Sequence, residues 1–173
     1  NDHGVYASLN QGSSWEPFSS GLTSAAVHDL VIQKDENHLL VGTHGRSIYL
    51  SNIEKIQNLS NEIQNSSLYI YPLKDVKYSN SWGSKRSIWS ESFEPNMDIT
   101  LFSSSIKDYE LSIVDSDNKT LYRGQGKLDN GFNFISYNLK SNESSVMDYL
   151  TKGSYKVLIM TDKDNLEKEF KIK

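Results

Sequence analysis

Four side chains in the first third of the sequence have the chemistry of a small polar site: His28, Asp29, His44 and Arg46. The first two lie at the start of one predicted strand and the last two follow the end of the next, so a sheet would bring them to one edge. A histidine beside a carboxylate acts as a general acid or base, and an arginine binds carboxylates or phosphates. Structural roles compete, because Asp29 can cap backbone amides and Arg46 can pair with it or pack its stem along a neighbour.

The sequence predicts no metal or cofactor. The two histidines and Asp29 lack the HxH or HExxH spacing of zinc sites. Asp115, Asp117 and Asn118 provide oxygen ligands for Ca²⁺, but no Glu follows at the EF-hand distance and no Gly occupies the turn. Residues 115–119 are therefore predicted to form a hairpin turn.

Three aromatic residues, Tyr78, Trp82 and Trp89, have the composition of a sugar-stacking platform, because ring faces suit the CH groups of a pyranose. The alternative is that they pack between two domains. The sequence shows no nucleophile motif, glycine-rich phosphate loop or catalytic pair of carboxylates. It therefore does not predict catalysis within this chain.

Composition favours a β protein and excludes several classes of partner. The 173 residues contain 10 Tyr, 3 Trp and 6 Phe but only 3 Pro, which favours antiparallel sheets, and 36% of the residues are hydrophobic, which is enough for a core. The 18 basic residues and 22 acidic residues form no long run of one sign, so strong attraction to nucleic acid or to an anionic membrane is not predicted. No cysteine is present, and no apolar run approaches the ~20 residues of a membrane span.

A short pattern near the start of the chain predicts a tight hairpin. It consists of Ser8, Asn10, Gly12, Ser14 and Trp15, between a strand over 4–9 and a strand over 14–18. Gly12 can adopt positive φ and Asn10 can bond the turn backbone. The pattern resembles the Asp-box, or BNR repeat, of sialidase-like and sortilin-like β-propellers, with Asn10 in place of the Asp. That resemblance implies a structural box in which Trp15 packs between blades.

The next strands are predicted at 27–32, 38–43 and 47–51, in one antiparallel sheet. Together with Leu40-Val41-Gly42-Thr43-His44-Gly45-Arg46, they resemble the closing blade of bacterial BNR-type propellers, a likeness that covers residues 1–52. An isolated blade leaves its faces exposed, so upstream blades or another protein chain must complete the structure. Residues 1–52 are not expected to fold alone.

A linker is predicted at 53–75. Apolar residues at 53, 56, 59 and 63 have helical spacing, which predicts a short helix over 53–67. Residues 68–73 then form an extended segment, in which Pro72 favours an edge or a linker. Residues 74–92 show no clear period and are predicted to be irregular.

Regular strands return in the last domain, 76–173. They are predicted at 97–102, 109–115, 120–124, 131–139, 154–161 and near 169–173, which is typical of an immunoglobulin-like sandwich. This half resembles the Ig-like domain of the flagellar hook-capping type. The resemblance is carried by Ile113-Val114-Asp115, Gly131-Phe132-Asn133 and Lys152-Gly153-Ser154-Tyr155.

The two resemblances imply an all-β chain that comprises the final blade or blades of a propeller and a sandwich. Because the sequence starts without Met in apparent mid-structure, we expect it to be a C-terminal segment of a longer bacterial protein that is secreted or at the cell surface. The implied role is non-catalytic, as a protein-binding or glycan-binding segment, a spacer or a docking domain. The alternative is the end of a BNR-type glycoside hydrolase whose catalytic residues lie upstream.

Overall fold

The structure, a computed structural model, describes residues 4–8, 11–13, 15–18, 26–143 and 148–173. It is built mainly from antiparallel sheets, which confirms the all-β prediction at this level. The chain divides into two compact units, Asn1–Ser60 (unit 1) and Asn61–Lys173 (unit 2). Among the described residues, no helix has the length and apolar character needed to cross a bilayer.

Unit 1 contains a small hairpin and a three-stranded sheet. Its strands are β1 (Tyr6–Ala7), β2 (Glu16–Pro17), β3 (Val27–Gln33), β4 (His38–Thr43) and β5 (Ile48–Asn52). Strands β1 and β2 pair with each other, and β4 lies between β3 and β5 with both pairs antiparallel. The predicted meander of three strands in one sheet is therefore confirmed.

The sheet of unit 1 carries apolar residues on both faces. Side chains alternate between the faces of a strand. On one face, Leu39 and Val41 are buried in a core with residues from the hairpin and the start of α1. On the other face, Ile48 is 71% exposed and Leu50 is 62% exposed, and Val31 of the neighbouring strand is about half exposed. Among the described residues, the first face is therefore covered along β4 but only partly along β3, where Leu30 and Ile32 are about half exposed, and the second face is largely open.

The single helix predicted over 53–67 is wrong, because the structure has two short helices, α1 (Glu54–Gln57) and α2 (Asn61–Asn65). The chain leaves the helical path at residues 58–60, where the Asn58 N–H still bonds the Glu54 carbonyl. Asn and Ser side chains compete with the helical backbone for hydrogen bonds, which favours a break here. The buried apolar residues of the predicted helical stripe, Ile53 and Leu59, lie outside both helices.

Unit 2 is a sandwich of two antiparallel sheets around one core. Its strands are β6 (Leu68–Ile70), β7 (Met97–Ser103), β8 (Lys107–Asp115), β9 (Thr120–Leu128), β10 (Gly131–Tyr137), β11 (Gly153–Met160) and β12 (Asn165–Ile172). One sheet has the order β10-β7-β6 and the other β12-β11-β8-β9. Alternate residues of both sheets meet in the core, including Ile99, Leu101, Ile113 and Val157, all fully buried. The predicted alternation along 154–161 is confirmed.

The segment predicted as the end of a linker belongs to unit 2. Leu68 and Ile70 of β6 are buried in the core of the sandwich, and β6 is an edge strand beside β7, in keeping with Pro72 after it. The apolar residues that suggested an extended linker are therefore core residues. Beyond Pro72, Val76 pairs in parallel with Ile172 of β12, so this leading segment contributes to both sheets.

The turn at 128–131 connects the two sheets and does not close a hairpin. Strand β9 lies in the sheet with β8, whereas β10 pairs with β7. Gly131 has φ of 95°, and the Asn133 side chain accepts a hydrogen bond from the Asp129 N–H and donates to the Asp129 carbonyl. The polar residues of this segment therefore stabilise a crossover between the two sheets.

Strand β9 is an edge strand, and two local contacts stabilise it: a glycine packed under a tyrosine ring, and a side-chain amide bonded to its outer edge. Gly126 lies under the ring of Tyr109 from β8, where a Cβ atom would come within 2.8 Å of that ring. On the outer side, the Asn142 side chain accepts from the Arg123 N–H at 2.8 Å and donates to the Arg123 carbonyl at 2.7 Å. One amide thus pairs with this edge as a neighbouring strand would.

Candidate binding surfaces

His28 and His44 come together, as the strand spacing predicted. A bulge between Val27 and Asp29 displaces His28 from the regular register of β3, and the His44 N–H bonds the Ala26 carbonyl beside it. The two imidazole rings stack with centroids 5.2 Å apart and an interplanar angle of 24°. Both side chains are exposed, so they form a surface pair rather than a buried proton relay.

Asp29 and Arg46 do not form, in the described part of the chain, the ion pair that was one of the structural alternatives for Arg46. The Asp29 carboxylate accepts a hydrogen bond from the Leu30 N–H at 2.9 Å, which is the backbone-capping role considered for it. Arg46 is exposed and lies in the β4–β5 turn, where Gly45 and Ser47 have positive φ. The Thr43 hydroxyl closes this turn by donating to the Ser47 carbonyl at 2.6 Å. Arg46 is thus displayed on a hydrogen-bonded turn.

An open groove of about 670 Å³ in unit 1 brings residues from the hairpin beside those of β3. The hairpin contributes Tyr6 and Trp15, and β3 contributes His28, Asp29 and Leu30. Aromatic faces next to an imidazole and a carboxylate suit a ligand with both CH faces and hydroxyl groups. The sequence did not predict that Trp15 and His28 line one groove, because their proximity depends on how the hairpin packs against the sheet.

The described part of the Asp-box forms the predicted turn. The Ser8 hydroxyl oxygen accepts a hydrogen bond from the Gly12 N–H at 2.7 Å, and Gly12 has φ of 88°. Asn10 and Ser14 lie outside the described residues. Trp15 is 60% exposed, so its indole is not buried within this chain. Its large apolar face is therefore open to a ligand or to a neighbouring element.

The predicted aromatic platform separates into two parts. Trp82 packs edge-on against Tyr78, with centroids 5.0 Å apart, and is tilted against Tyr149 at 5.9 Å. These rings pack against the core of unit 2, which is a structural role. The Tyr149 hydroxyl donates to Glu94 at 2.6 Å, and this hydrogen bond, followed by that from Lys140, lowers the pKa of the Glu94 carboxyl.

Trp89 lies instead at the tip of a hairpin over residues 84–93, which we call the 84–93 hairpin. Its base is closed by hydrogen bonds from the Gly83 N–H to the Phe93 carbonyl and from the Phe93 N–H to the Ser84 carbonyl. Near its tip, the Ser90 N–H and hydroxyl both bond the Ser87 carbonyl. Trp89 is 90% exposed and its neighbour Ile88 is 83% exposed. Residues 74–92 have no regular spacing of apolar residues from which this hairpin could be predicted.

The remaining acidic cluster is a turn, as predicted. The Asp115 carboxylate accepts hydrogen bonds from the Asp117 and Lys119 N–H groups at 3.0 Å, and Asn118 takes positive φ. One oxygen of this carboxylate, Oδ1, is therefore engaged by the turn backbone. Within the described ranges, no cluster of three or more His, Asp or Glu residues is arranged to hold a metal ion.

Two comparisons with known proteins identify no relative of this chain. No protein-family model matches the chain, and no curated protein matches its sequence.

Proposed function

We propose that the chain is the non-catalytic C-terminal segment of a larger secreted or cell-surface bacterial propeller protein. Unit 1 is then a terminal blade region and unit 2 is an immunoglobulin-like domain. The segment serves as a spacer or docking domain, and its exposed surfaces bind protein or glycan.

The observation that carries this proposal is the sheet of unit 1 with apolar residues on both faces. A sheet with one face in water alternates apolar and polar residues. Here Leu39 and Val41 fill the covered face, while Val31, Ile48 and Leu50 stand on the open face. A sheet of this composition suits a position between two other layers, as blades occupy in a propeller. The likeness of the β1–β2 turn to an Asp-box, and the exposed Trp15 beside it, support the same placement.

The proposed identity of unit 2 is supported by its strand order. The first, second and fifth strands of the sandwich form one sheet, and the third, fourth, sixth and seventh form the other. Immunoglobulin-like sandwiches are likewise divided between two antiparallel sheets with Greek-key connections, although in the constant type the fourth strand lies with the first, second and fifth. The leading segment, which pairs first with β7 and then in parallel with β12, is consistent with such a domain. Fold alone assigns no chemistry, so the proposed spacer or docking role depends on the exposed surfaces.

The decisive experiment places Ile48→Thr and Leu50→Thr both in the 173-residue chain and in the longer natural polypeptide. In the short chain both positions are in water, so the melting temperature should hardly move. In the longer polypeptide a neighbouring blade should cover them, and the melting temperature should fall by several degrees, as expected for a loss of about 1 to 2 kcal/mol. Lys34→Thr, in the exposed turn between β3 and β4, is the control.

If the longer polypeptide tolerates both threonines as well as the short chain does, the open face is not packed and the blade assignment is wrong. The non-catalytic part of the proposal has its own test, a screen of the longer polypeptide on polysaccharides and sialosides. Turnover that disappears when upstream carboxylates are replaced would make the protein a glycoside hydrolase instead. Binding without turnover, weakened by Trp15→Ala or His28→Ala, would assign the groove as a glycan site.

A further inference from the structure

The 84–93 hairpin carries two bulky apolar side chains that unit 2 leaves in water. Ile88 and Trp89 are adjacent at its tip and are 83% and 90% exposed, more than the other large apolar side chains among the described residues. Exposing both in water is unfavourable, since burial of apolar surface is favoured roughly in proportion to its area. The hydrogen bonds at the base and near the tip fix the conformation of the hairpin, so a small local rearrangement does not bury Ile88 and Trp89.

The charges beside the tip are mainly basic. Lys85 and Arg86 lie on the first arm, separated from Ile88 by Ser87, and Glu91 lies on the second arm; all three charged residues are exposed. Neither Lys85 nor Arg86 makes an ion pair with another described residue. Two free cations and one carboxylate give the hairpin a net positive charge on a chain whose total is −4. The local charge is thus opposite in sign to that of the whole molecule.

From this arrangement we propose that the 84–93 hairpin is a peripheral membrane contact, with Ile88 and Trp89 entering the interface of an anionic bilayer. Tryptophan is favoured at the boundary of headgroups and acyl chains, where its ring is apolar and its N–H meets water. Lys85 and Arg86 would lie at the level of the headgroups and attract anionic lipids. The serines at 84, 87 and 90 supply small polar groups at the same level.

A sugar ligand fits this tip less well. A sugar site needs polar groups that converge on hydroxyls from a concave surface. Ile88 offers none, and the tip is convex because its side chains are almost wholly exposed. The inference does not depend on unit 1 being a propeller blade.

The test is co-sedimentation of the 173-residue chain with vesicles of phosphatidylcholine alone and of phosphatidylcholine with phosphatidylserine. Binding to the anionic vesicles is expected, together with quenching of tryptophan fluorescence by brominated lipid that Trp89→Phe removes. Ile88→Ser and Trp89→Ser should each raise the lipid concentration for half-binding about tenfold. Lys85→Glu and Arg86→Glu should each raise it about fivefold or more, and only with the anionic vesicles.

Trp15→Ser is the matched control, because Trp15 is also an exposed tryptophan but lies in unit 1. Its vesicle binding should equal that of the unsubstituted chain. The proposal is overturned if the chain stays in the supernatant, if Trp15→Ser weakens binding as much as Trp89→Ser, or if the glutamate variants bind anionic vesicles unchanged. Self-association that requires Trp89, without vesicle binding, would assign the tip to a protein contact and would equally overturn it.

Discussion

Unit 1 and unit 2 are both antiparallel β-structures, yet they bury their apolar residues differently. In unit 2, two sheets face each other and each covers the other, so Ile99 and Ile113 are inaccessible to water. In unit 1, a single three-stranded sheet has a partner layer on one face, and Ile48 and Leu50 are left exposed on the other. Apolar content alone therefore does not allow a unit to bury all its apolar residues, because a second layer must cover each apolar face.

The largest expected difference is in independent folding. Residues 61–173 expressed alone should unfold cooperatively, whereas residues 1–60 should not, because their sheet has one open apolar face. A fragment that starts at residue 76 should be much less stable than 61–173, since it lacks Leu68 and Ile70 of β6. Thermal unfolding followed by circular dichroism of the three fragments checks this expectation. A cooperative transition from residues 1–60 would break the contrast between the units.

The next prediction compares an isoleucine in the core of unit 2 with an isoleucine on the open face of the unit 1 sheet. Ile113→Ala in the core of unit 2 should cost about 2 to 5 kcal/mol of unfolding free energy, because it removes buried methyl groups and leaves a cavity. Ile48→Ala, on the open face of unit 1, should change the free energy by no more than about 0.5 kcal/mol. Hydrogen exchange resolved by segment measures both units in the intact chain. Equal costs would mean that Ile48 is covered in solution.

The next prediction concerns a polar network in unit 2. It connects Ser67, which precedes β6, with Lys107 of β8 and with Asp164 in the turn before β12. Lys107 Nζ lies 3.1 Å from the Asp164 carboxylate and 2.7 Å from the Ser67 hydroxyl, with both charged side chains largely buried. Lys107→Met should cost about 1 to 3 kcal/mol, since Asp164 loses a charged partner. Urea unfolding at neutral pH provides the measurement, and an unchanged midpoint would show that the pair contributes little to stability.

The same network predicts a pH dependence. Burial alone raises the pKa of the Asp164 carboxyl, but hydrogen bonds from Lys107, Ser67 and Thr161 outweigh it, so the pKa in the folded chain is lowered. The stabilisation is then complete above the unfolded pKa of about 3.9 and is lost as pH falls through the folded value. The stability advantage over Asp164→Asn should therefore shrink below about pH 4. Asp162→Asn, in the same turn but exposed, is the control.

The last comparison concerns two glycines of unit 2, one in β9 and one in β11. Gly126→Ala should cost about 1 to 3 kcal/mol, because the added methyl meets the Tyr109 ring at 2.8 Å and that ring packs against the core. Gly153→Ala is the comparison, since its methyl would lie an ordinary 3.4 Å from Tyr155. Its effect should be near zero or slightly stabilising. Thermal unfolding of both variants decides whether Tyr109 is held in place.

Sequence patterns predicted the strands well wherever alternation and turn residues agreed. The strand with Tyr155, Val157 and Ile159 on one face is an example, as is the Asp115 turn. The helix over 53–67 was wrong because the spacing of its apolar residues was helical, although Asn58 and Ser60 favour a break. Helical spacing records where apolar residues recur, but it does not record whether the backbone between them stays helical.

The candidate sites were less predictable than the strands. The spacing of the strand ends placed His28 near His44, and the stacked rings agree with it. Trp82 and Trp89 could not be distinguished, since both lie in a serine-rich stretch without period, yet one packs against a core and the other is in water. Burial of an aromatic ring in an irregular segment is decided by contacts distant in sequence, which local patterns do not contain.

The parallel pairing of the leading segment with β12 has a mechanical consequence. The Val76 N–H bonds the Lys171 carbonyl, and the Lys173 N–H bonds the Val76 carbonyl, with Asp75 bound to Lys173 beside them. When the two ends of unit 2 are pulled apart, parallel strands slide along each other, so these bonds are strained together rather than one after another. Val76→Pro, which removes one donor, should lower the unfolding force in single-molecule pulling. A smaller drop in force for Pro at an unpaired position of the same segment would assign the resistance to this bridge.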